Sequence, residues 1–198
     1  MESLWPYATP GISDQLFERL PGIPMSQREV RLVLLSVLRL GPQAVLWDVG
    51  AGTGTITVEA ALLCPQGVIV AVERDEDVAT LIKKNCQRFG VSNVEVVVDN
   101  APECFDSLPH VPDSILVEGG RDLKPLLAYA WQKLAAGGRL VATAVNFQAL
   151  YAISESFAEL QVRNIEVVQT GGSRLENRGS NQVLKPIVPT FILSGDKF

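Results

Sequence analysis

The stretch Asp48-Val49-Gly50-Ala51-Gly52-Thr53-Gly54 constrains this chain more than any other. It follows an apolar run, Ala44–Trp47, and opens onto Thr55–Leu63, which has helix-like composition. A chain that turns this tightly from a buried strand into a helix needs positions without a Cβ. Glycines there also let the backbone approach a ligand lying across the strand ends. The spacing is GxGxG. A pyrophosphate-binding GxGxxG would place glycine at position 55, which is Thr55, so a nicotinamide-dependent oxidoreductase is disfavoured. A plain tight turn needs one glycine rather than three.

The rest of the chain repeats this strand-to-helix rhythm. Strands are expected at Ala44–Asp48, Gly67–Glu73, Val94–Val98, Ser114–Val117 and Arg139–Val145. Between and after them lie helical patterns at Thr55–Leu63, Asp77–Phe89, Leu123–Leu134 and Phe147–Leu160. Unbroken apolar strands imply a sheet covered on both faces, and the alternation implies parallel strands with right-handed crossovers. Ile165–Gln169 and Ile187–Leu193 break the rhythm, because no helix pattern separates them; they should pair antiparallel as a closing hairpin. The stretch Gly171–Gln182 between them reads as a long polar loop of the functional or mobile type. Residues 1–40 form a helical preface, with Ser13–Leu20 short and Gln27–Leu38 clear, and Ser26 and Glu29 have capping-box spacing. No linker divides the chain, so 1–198 is expected as one α/β domain with its sheet core at 41–198.

Composition narrows the function. No apolar run approaches the ~20 residues of a membrane span, and Met1–Trp5 lacks the basic start of a signal peptide. Three cysteines without CxxC spacing argue against disulfides or zinc and fit the reducing cytoplasm. A single histidine, His110, excludes His-rich metal sites, so no metal is expected. The net charge of −5 argues against nucleic acid as a partner, and with no apolar span no membrane partner is expected. That charge is uneven: residues 89–120 carry six acids and no Lys or Arg, while 121–198 carry nine basic and six acidic groups. This is either surface scatter or an anion-facing C-terminal half.

Three further signals fall at strand ends. Glu73 lies 19 residues after Gly54 and can accept from both hydroxyls of a ribose, with charge-assisted bonds worth about 1.5–3 kcal/mol each. Asp99-Asn100-Ala101-Pro102-Glu103 follows the third strand, where an oxygen can take an adenine amino hydrogen and Ala101 leaves room for the ring. Glu118-Gly119-Gly120-Arg121 follows the fourth. In open α/β sheets the ligand crevice lies outside these carboxyl ends, so the signals converge on one site. A glycine loop without phosphate spacing, a ribose acid and an adenine loop together describe S-adenosylmethionine.

From about residue 25 onward the chain resembles the class I methyltransferases. That likeness implies a Rossmann-like seven-stranded sheet, ordered 3-2-1-4-5-7-6, with strand 7 antiparallel and helices on both faces. A narrower resemblance is to the decarboxylating precorrin methyltransferases of cobalamin biosynthesis. Gly22-Ile23-Pro24-Met25-Ser26 with Glu29-Val30-Arg31 is similar to that family's PMT and EVR segments. Leu46–Gly54 is similar to its LWDIGAGTG, Ala101-Pro102-Glu103 to its DAPE, and Glu118-Gly119-Gly120 to its glycine doublet. The chain departs from the family with Ser26 for Thr, which keeps the hydroxyl, with Asn100 for Asp, and with Asn181-Gln182 where relatives often carry His.

The resemblance implies cofactor contacts from Met25, Ser26, Asp48, Gly50, Ala51, Gly52, Thr53, Gly54, Thr55, Glu73, Arg74, Asn100, Ala101 and Gly119. It also implies methylation of a precorrin at C15 with loss of the ring-C acetate carboxyl, a separate enzyme for C5, and a homotetramer. The leucine-rich helix at 32–40 offers either an interface or core packing. A polycarboxylate substrate calls for cations, and Arg121, Lys124, Arg174, Arg178 and Lys185 are candidates, each otherwise a solvated surface charge. No catalytic residue is assigned. Glu118 and Arg121 stand as candidates, and Glu118 is alternatively a loop anchor. Two rivals keep the cofactor: a tRNA adenine methyltransferase, which salt-sensitive tRNA binding would reveal, and a non-catalytic cofactor-binding module.

Overall fold

The computed structural model describes residues 4–120 and 122–198, without the side chain of Arg178. Seven strands form one sheet: β1 (Val45–Val49), β2 (Val68–Glu73), β3 (Val94–Val98), β4 (Ser114–Glu118), β5 (Arg139–Ala144), β6 (Arg163–Arg178) and β7 (Asn181–Asp196). Their order is β3-β2-β1-β4-β5-β7-β6, as the resemblance implies. The first five are parallel, and β7 runs antiparallel to both β5 and β6.

Alternation along the strands divides the core. Trp47, Val49, Ile115, Val117, Leu140 and Ala142 face α4 (Leu123–Lys133) and α5 (Phe147–Glu159). Leu46, Ile69, Leu116 and Val141 face α1 (Arg28–Leu38) and α2 (Thr55–Leu63). Ala71 meets α3 (Glu76–Phe89) through Ile82, Cys86 and Phe89. Leu34, Leu35, Val37 and Leu38 of α1 are all buried in this core, so packing accounts for most of the leucine-rich helix, while Leu32 is exposed.

Two expectations are corrected. The stretch Gly171–Gln182 is no loop: β6 and β7 run through it and turn at Gly179-Ser180, with Gly179 at φ +61°. β5 pairs only with Phe191–Asp196, so Asn181–Thr190 pairs with β6 alone and extends as a two-stranded arm. The capping box also does not form. Gln27 is the N-cap of α1, without a side-chain cap bond, while Ser26 and Glu29 are drawn to distant partners. Ser13–Leu20 shortens to one 3-10 turn, Asp14–Leu16.

The preface is fastened to the core by Arg31, whose side chain is fully buried. Its guanidinium donates to Asp14 Oδ1 (2.8 Å), Glu59 Oε1 (2.8 Å), the Ser26 carbonyl (2.6 Å) and the Ile12 carbonyl. Glu59, on α2, also accepts from the Gly11 and Ile12 amides. Arg174, on the hairpin, grips Glu29 with two bonds and reaches Asp14 Oδ2 at 3.0 Å. Two arginines and three carboxylates thus join the hairpin, the preface and α2.

Removing one member of a buried ion pair strands its partner, so Arg31→Met should lower the unfolding free energy by about 3–5 kcal/mol in a urea titration. A loss below about 1 kcal/mol would remove the anchoring role. Arg174 acts with a different pH signature. Its hydrogen bonds hold the Glu29 carboxyl at about 2, below the ordinary 4.5. A depressed carboxylate adds stability above its unfolded-state value, and that stability is lost as pH falls through the folded-state value. The gap in urea midpoint between wild type and Arg174→Ala should therefore be full at neutral pH and close between 4.5 and about 2. A gap independent of pH would contradict this.

Candidate functional site

The site begins where β1 ends. The amides of Gly50 and Ala51 both donate to the Val72 carbonyl, at 3.0 and 3.2 Å, so the loop bends across the end of β2. Its three glycines serve different needs. A Cβ on Gly50 (φ +80°) would lie 2.5 Å from the Glu118 carbonyl oxygen, because the loop lies against the end of β4. One on Gly54 (φ +76°) would press on Ile82 at 3.0 Å, where α2 crosses α3. One on Gly52 (φ +53°) would make only ordinary contacts, with the Pro24 carbonyl at 3.5 Å and the Gly50 carbonyl at 3.8 Å. Gly52 is therefore the position whose backbone is open to a ligand, and two of the three glycines answer to packing.

Glu73 joins this loop to its neighbours. Its Oε2 accepts from the Gly52 amide (3.1 Å), and its Oε1 from Arg74 (2.9 Å) and Asp75 (3.2 Å). Three amides orient the carboxylate; two of them occupy Oε1, and Oε2, with one, keeps an open lone-pair site. The Asp99 amide donates to the Glu73 carbonyl at 3.2 Å, which brings the Asn100–Ala101 loop alongside. Asn100 is exposed, Ala101 is partly buried against the core, and the Ala101–Pro102 peptide is cis. Arg74 is exposed.

A strap, Gly22–Ser26, crosses from the preface. Thr53 Oγ1 donates to the Pro24 carbonyl at 3.0 Å, and Ser26 Oγ to Glu118 Oε2 at 2.7 Å. Met25 is partly buried within this strap. Thr53 and Thr55 are buried, and the Thr53 hydroxyl is taken up by the strap. Gly119 (φ +78°) has nothing within 4 Å of a built Cβ, so the loop after β4 also exposes its backbone.

Beneath the loop Asp48 is fully buried, with Oδ2 accepting from Thr57 Oγ1 at 2.5 Å and Oδ1 without a partner among the described residues. Burial, reinforced by the Glu73 charge, pushes its carboxyl up to about 6. Burial and the Asp48 charge push Glu118 up to about 7, against the Ser26 bond and the more distant Arg31. Thr57 was not legible as a site residue, although a signal existed. It is a hydroxyl in an almost wholly buried helix, and buried polar groups need partners.

The candidate cations are placed differently. Arg174 is committed to Glu29 and Asp14, and Lys124 pairs with Glu155 and Glu159. Lys185 pairs with Glu176. Arg121 and the side chain of Arg178 lie outside the described residues. The positive C-terminal segment thus spends much of its charge on internal pairs. A groove of about 910 Å³, lined by Arg39, Gln43, Gln66, Arg139 and Asp196, lies at the opposite, amino end of the strands, away from the glycine loop.

Comparison with known proteins now bears on this geometry. A relative from Pyrobaculum calidifontis, named a probable cobalt-precorrin-6B C(15)-methyltransferase (decarboxylating), is 40% identical over 96% of this chain and 97% of its own. One of Salmonella typhimurium, named cobalt-precorrin-6B C(15)-methyltransferase (decarboxylating), is 33% identical over 94% of this chain and 96% of its own. The crystal structure of precorrin-6y C5,15-methyltransferase from Geobacter metallireducens superposes with a TM-score of 0.88 at 30% identity, covering 96% of this chain and all of that one. The family model described as a precorrin methyltransferase domain matches residues 19–196, and with this crevice at the strand ends the chain belongs to the precorrin methyltransferase family.

Proposed function

We propose that this protein binds S-adenosylmethionine in the crevice at the carboxyl ends of β1, β2 and β4, methylates a precorrin at C15, and decarboxylates its ring-C acetate. The observation that carries the cofactor reading is the hydrogen bond from the Gly52 amide to Glu73. It fixes a carboxylate with an open lone-pair site on Oε2 beside the loop glycine whose missing Cβ leaves the least crowded space, with the Pro24 and Gly50 carbonyls 3.5 and 3.8 Å away. A side chain at Gly52 or Gly119 would enter that space. Full-length likeness to enzymes named for C15 methylation and decarboxylation supports the substrate.

In this reading Glu73 accepts the ribose hydroxyls, and the Asn100–Ala101 loop takes the adenine. Gly52, Gly119 and the strap residues Met25 and Ser26 line the methionine end. The bound cofactor supplies an activated methyl group on a sulfonium. The chain's share is alignment and exclusion of water, and good alignment alone contributes up to about 7–11 kcal/mol. Decarboxylation breaks the bond between the acetate methylene and its carboxyl. The electron pair passes into the conjugated ring, and a proton returns to the methylene carbon. Arg121 remains a candidate to hold a substrate carboxylate, with Glu118 beside the crevice.

The reading extends to assembly and compartment. Leu175, Val183, Leu184 and Val188 on the hairpin arm are exposed apolar side chains, and they suit a homo-oligomer, the tetramer of the resemblance, better than α1 does. Cys64, Cys86 and Cys104 are unpaired and buried, which suits a reducing cytoplasm. Methylation at C5 falls to a separate enzyme.

Two measurements test this. Incubation with S-adenosylmethionine and a C15-unmethylated precorrin should yield a product that has gained one methyl and lost carbon dioxide; an unchanged mass rejects the reaction. Glu73→Ala should weaken calorimetric cofactor affinity by about 2–4 kcal/mol through lost charge-assisted bonds. Unaltered affinity would remove the ribose role.

A further inference from the structure

Asp48, Glu73 and Glu118 lie on β1, β2 and β4, with β1 between the other two. Three backbone amides satisfy Glu73. The other two carboxyls are less well provided for. Asp48 is fully buried and receives only the Thr57 hydroxyl, and its Oδ1 has no partner among the described residues. Glu118 receives the Ser26 hydroxyl. The groups acting on the pair are Thr57 from α2, Glu73 from β2, Ser26 from the strap and Arg31 from α1. Arg31 is the one cation among them, and its guanidinium is already bound to Asp14 and Glu59. Two carboxyls so placed cannot both ionise cheaply, so they titrate as a coupled unit.

We propose that Asp48 and Glu118 share a proton and release it when a sulfonium cation is bound beside them, so that the crevice reads the charge on its ligand. This rests on the cofactor reading above and adds a discrimination to it. With the proton released, the ionised pair favours the cationic methyl donor. The neutral thioether left after methyl transfer offers no such charge, so the pair regains its proton and the product is held less well. Atoms balance without a further reactant, since the proton passes to and from water.

The sign of the pH dependence follows. Burial places Asp48 at about 6 and Glu118 at about 7. Raising pH through this range ionises the pair and strengthens binding of the cation relative to the thioether. One linked proton changes an affinity by at most about tenfold per pH unit.

The test is calorimetric binding of S-adenosylmethionine and S-adenosylhomocysteine to the full chain at about pH 6 and pH 8. The ratio of their affinities should shift toward the sulfonium by about tenfold between the two, as expected for one group titrating near the middle of the range. Glu118→Gln keeps an acceptor for Ser26 and should flatten that shift. If it loses its circular dichroism spectrum, Asp48→Asn serves in its place. A ratio that does not move in wild type, or that moves equally in the variant, overturns the proposal while leaving cofactor binding in place. If neither ligand binds wild type, the cofactor reading falls and this proposal falls with it.

Discussion

The buried guanidinium of Arg31 is the constraint on which the rest of the arrangement depends. It gathers acceptors from three places: Asp14 and Ile12 in the preface, Ser26 in the strap, and Glu59 on α2. An apolar side chain of similar volume would fill the space at lower desolvation cost. It would not specify where the strap runs. Because Arg31 binds the Ser26 carbonyl, the Ser26 hydroxyl is turned to Glu118, and the Pro24 carbonyl two residues earlier receives Thr53. The roof of the crevice is thus set by a charge lying outside the crevice.

The glycine loop shows how one motif can answer several demands. Gly50 yields room to β4 and Gly54 to α3, while Gly52 is crowded by neither. A motif read as ligand-binding is therefore partly a packing motif, and substitutions within it should not be expected to behave alike.

Much of the fold was legible because it is local. Thr55–Leu63 is α2 to the residue, and the other four main helices fall within a residue of their expected bounds. The position of Glu73 at the end of β2 was legible too, since a carboxylate at a strand end needs no distant partner to be placed. What the sequence concealed is long-range. Ser26 and Glu29 have capping-box spacing, yet their stronger partners lie 92 and 145 residues away. Arg174 looked like a free cation because its acceptors lie in the preface. Gly171–Gln182 looked like a loop because its residues are polar and exposed, without the alternation a half-buried strand displays. Pairing with the opposite strand alone makes it β-structure.

That arm has a geometric consequence. The five parallel strands are locked to one another by crossover helices, so none can lengthen without moving the next. Beyond Phe191, where β5 stops pairing with it, the closing hairpin is held instead by side chains: Ile187 in the core, and Arg174 and the Val188 amide on Asp14, Glu29 and Gln27. Each residue added to both strands would carry the tip outward by about 3.3 Å and leave the crevice untouched. The ten residues of β7 from Asn181 to Thr190 already give a reach of roughly 33 Å along the strand. The length of the arm beyond Arg174 is therefore a dimension in which this chain can vary its outline, while the crevice in the middle of the sheet stays fixed.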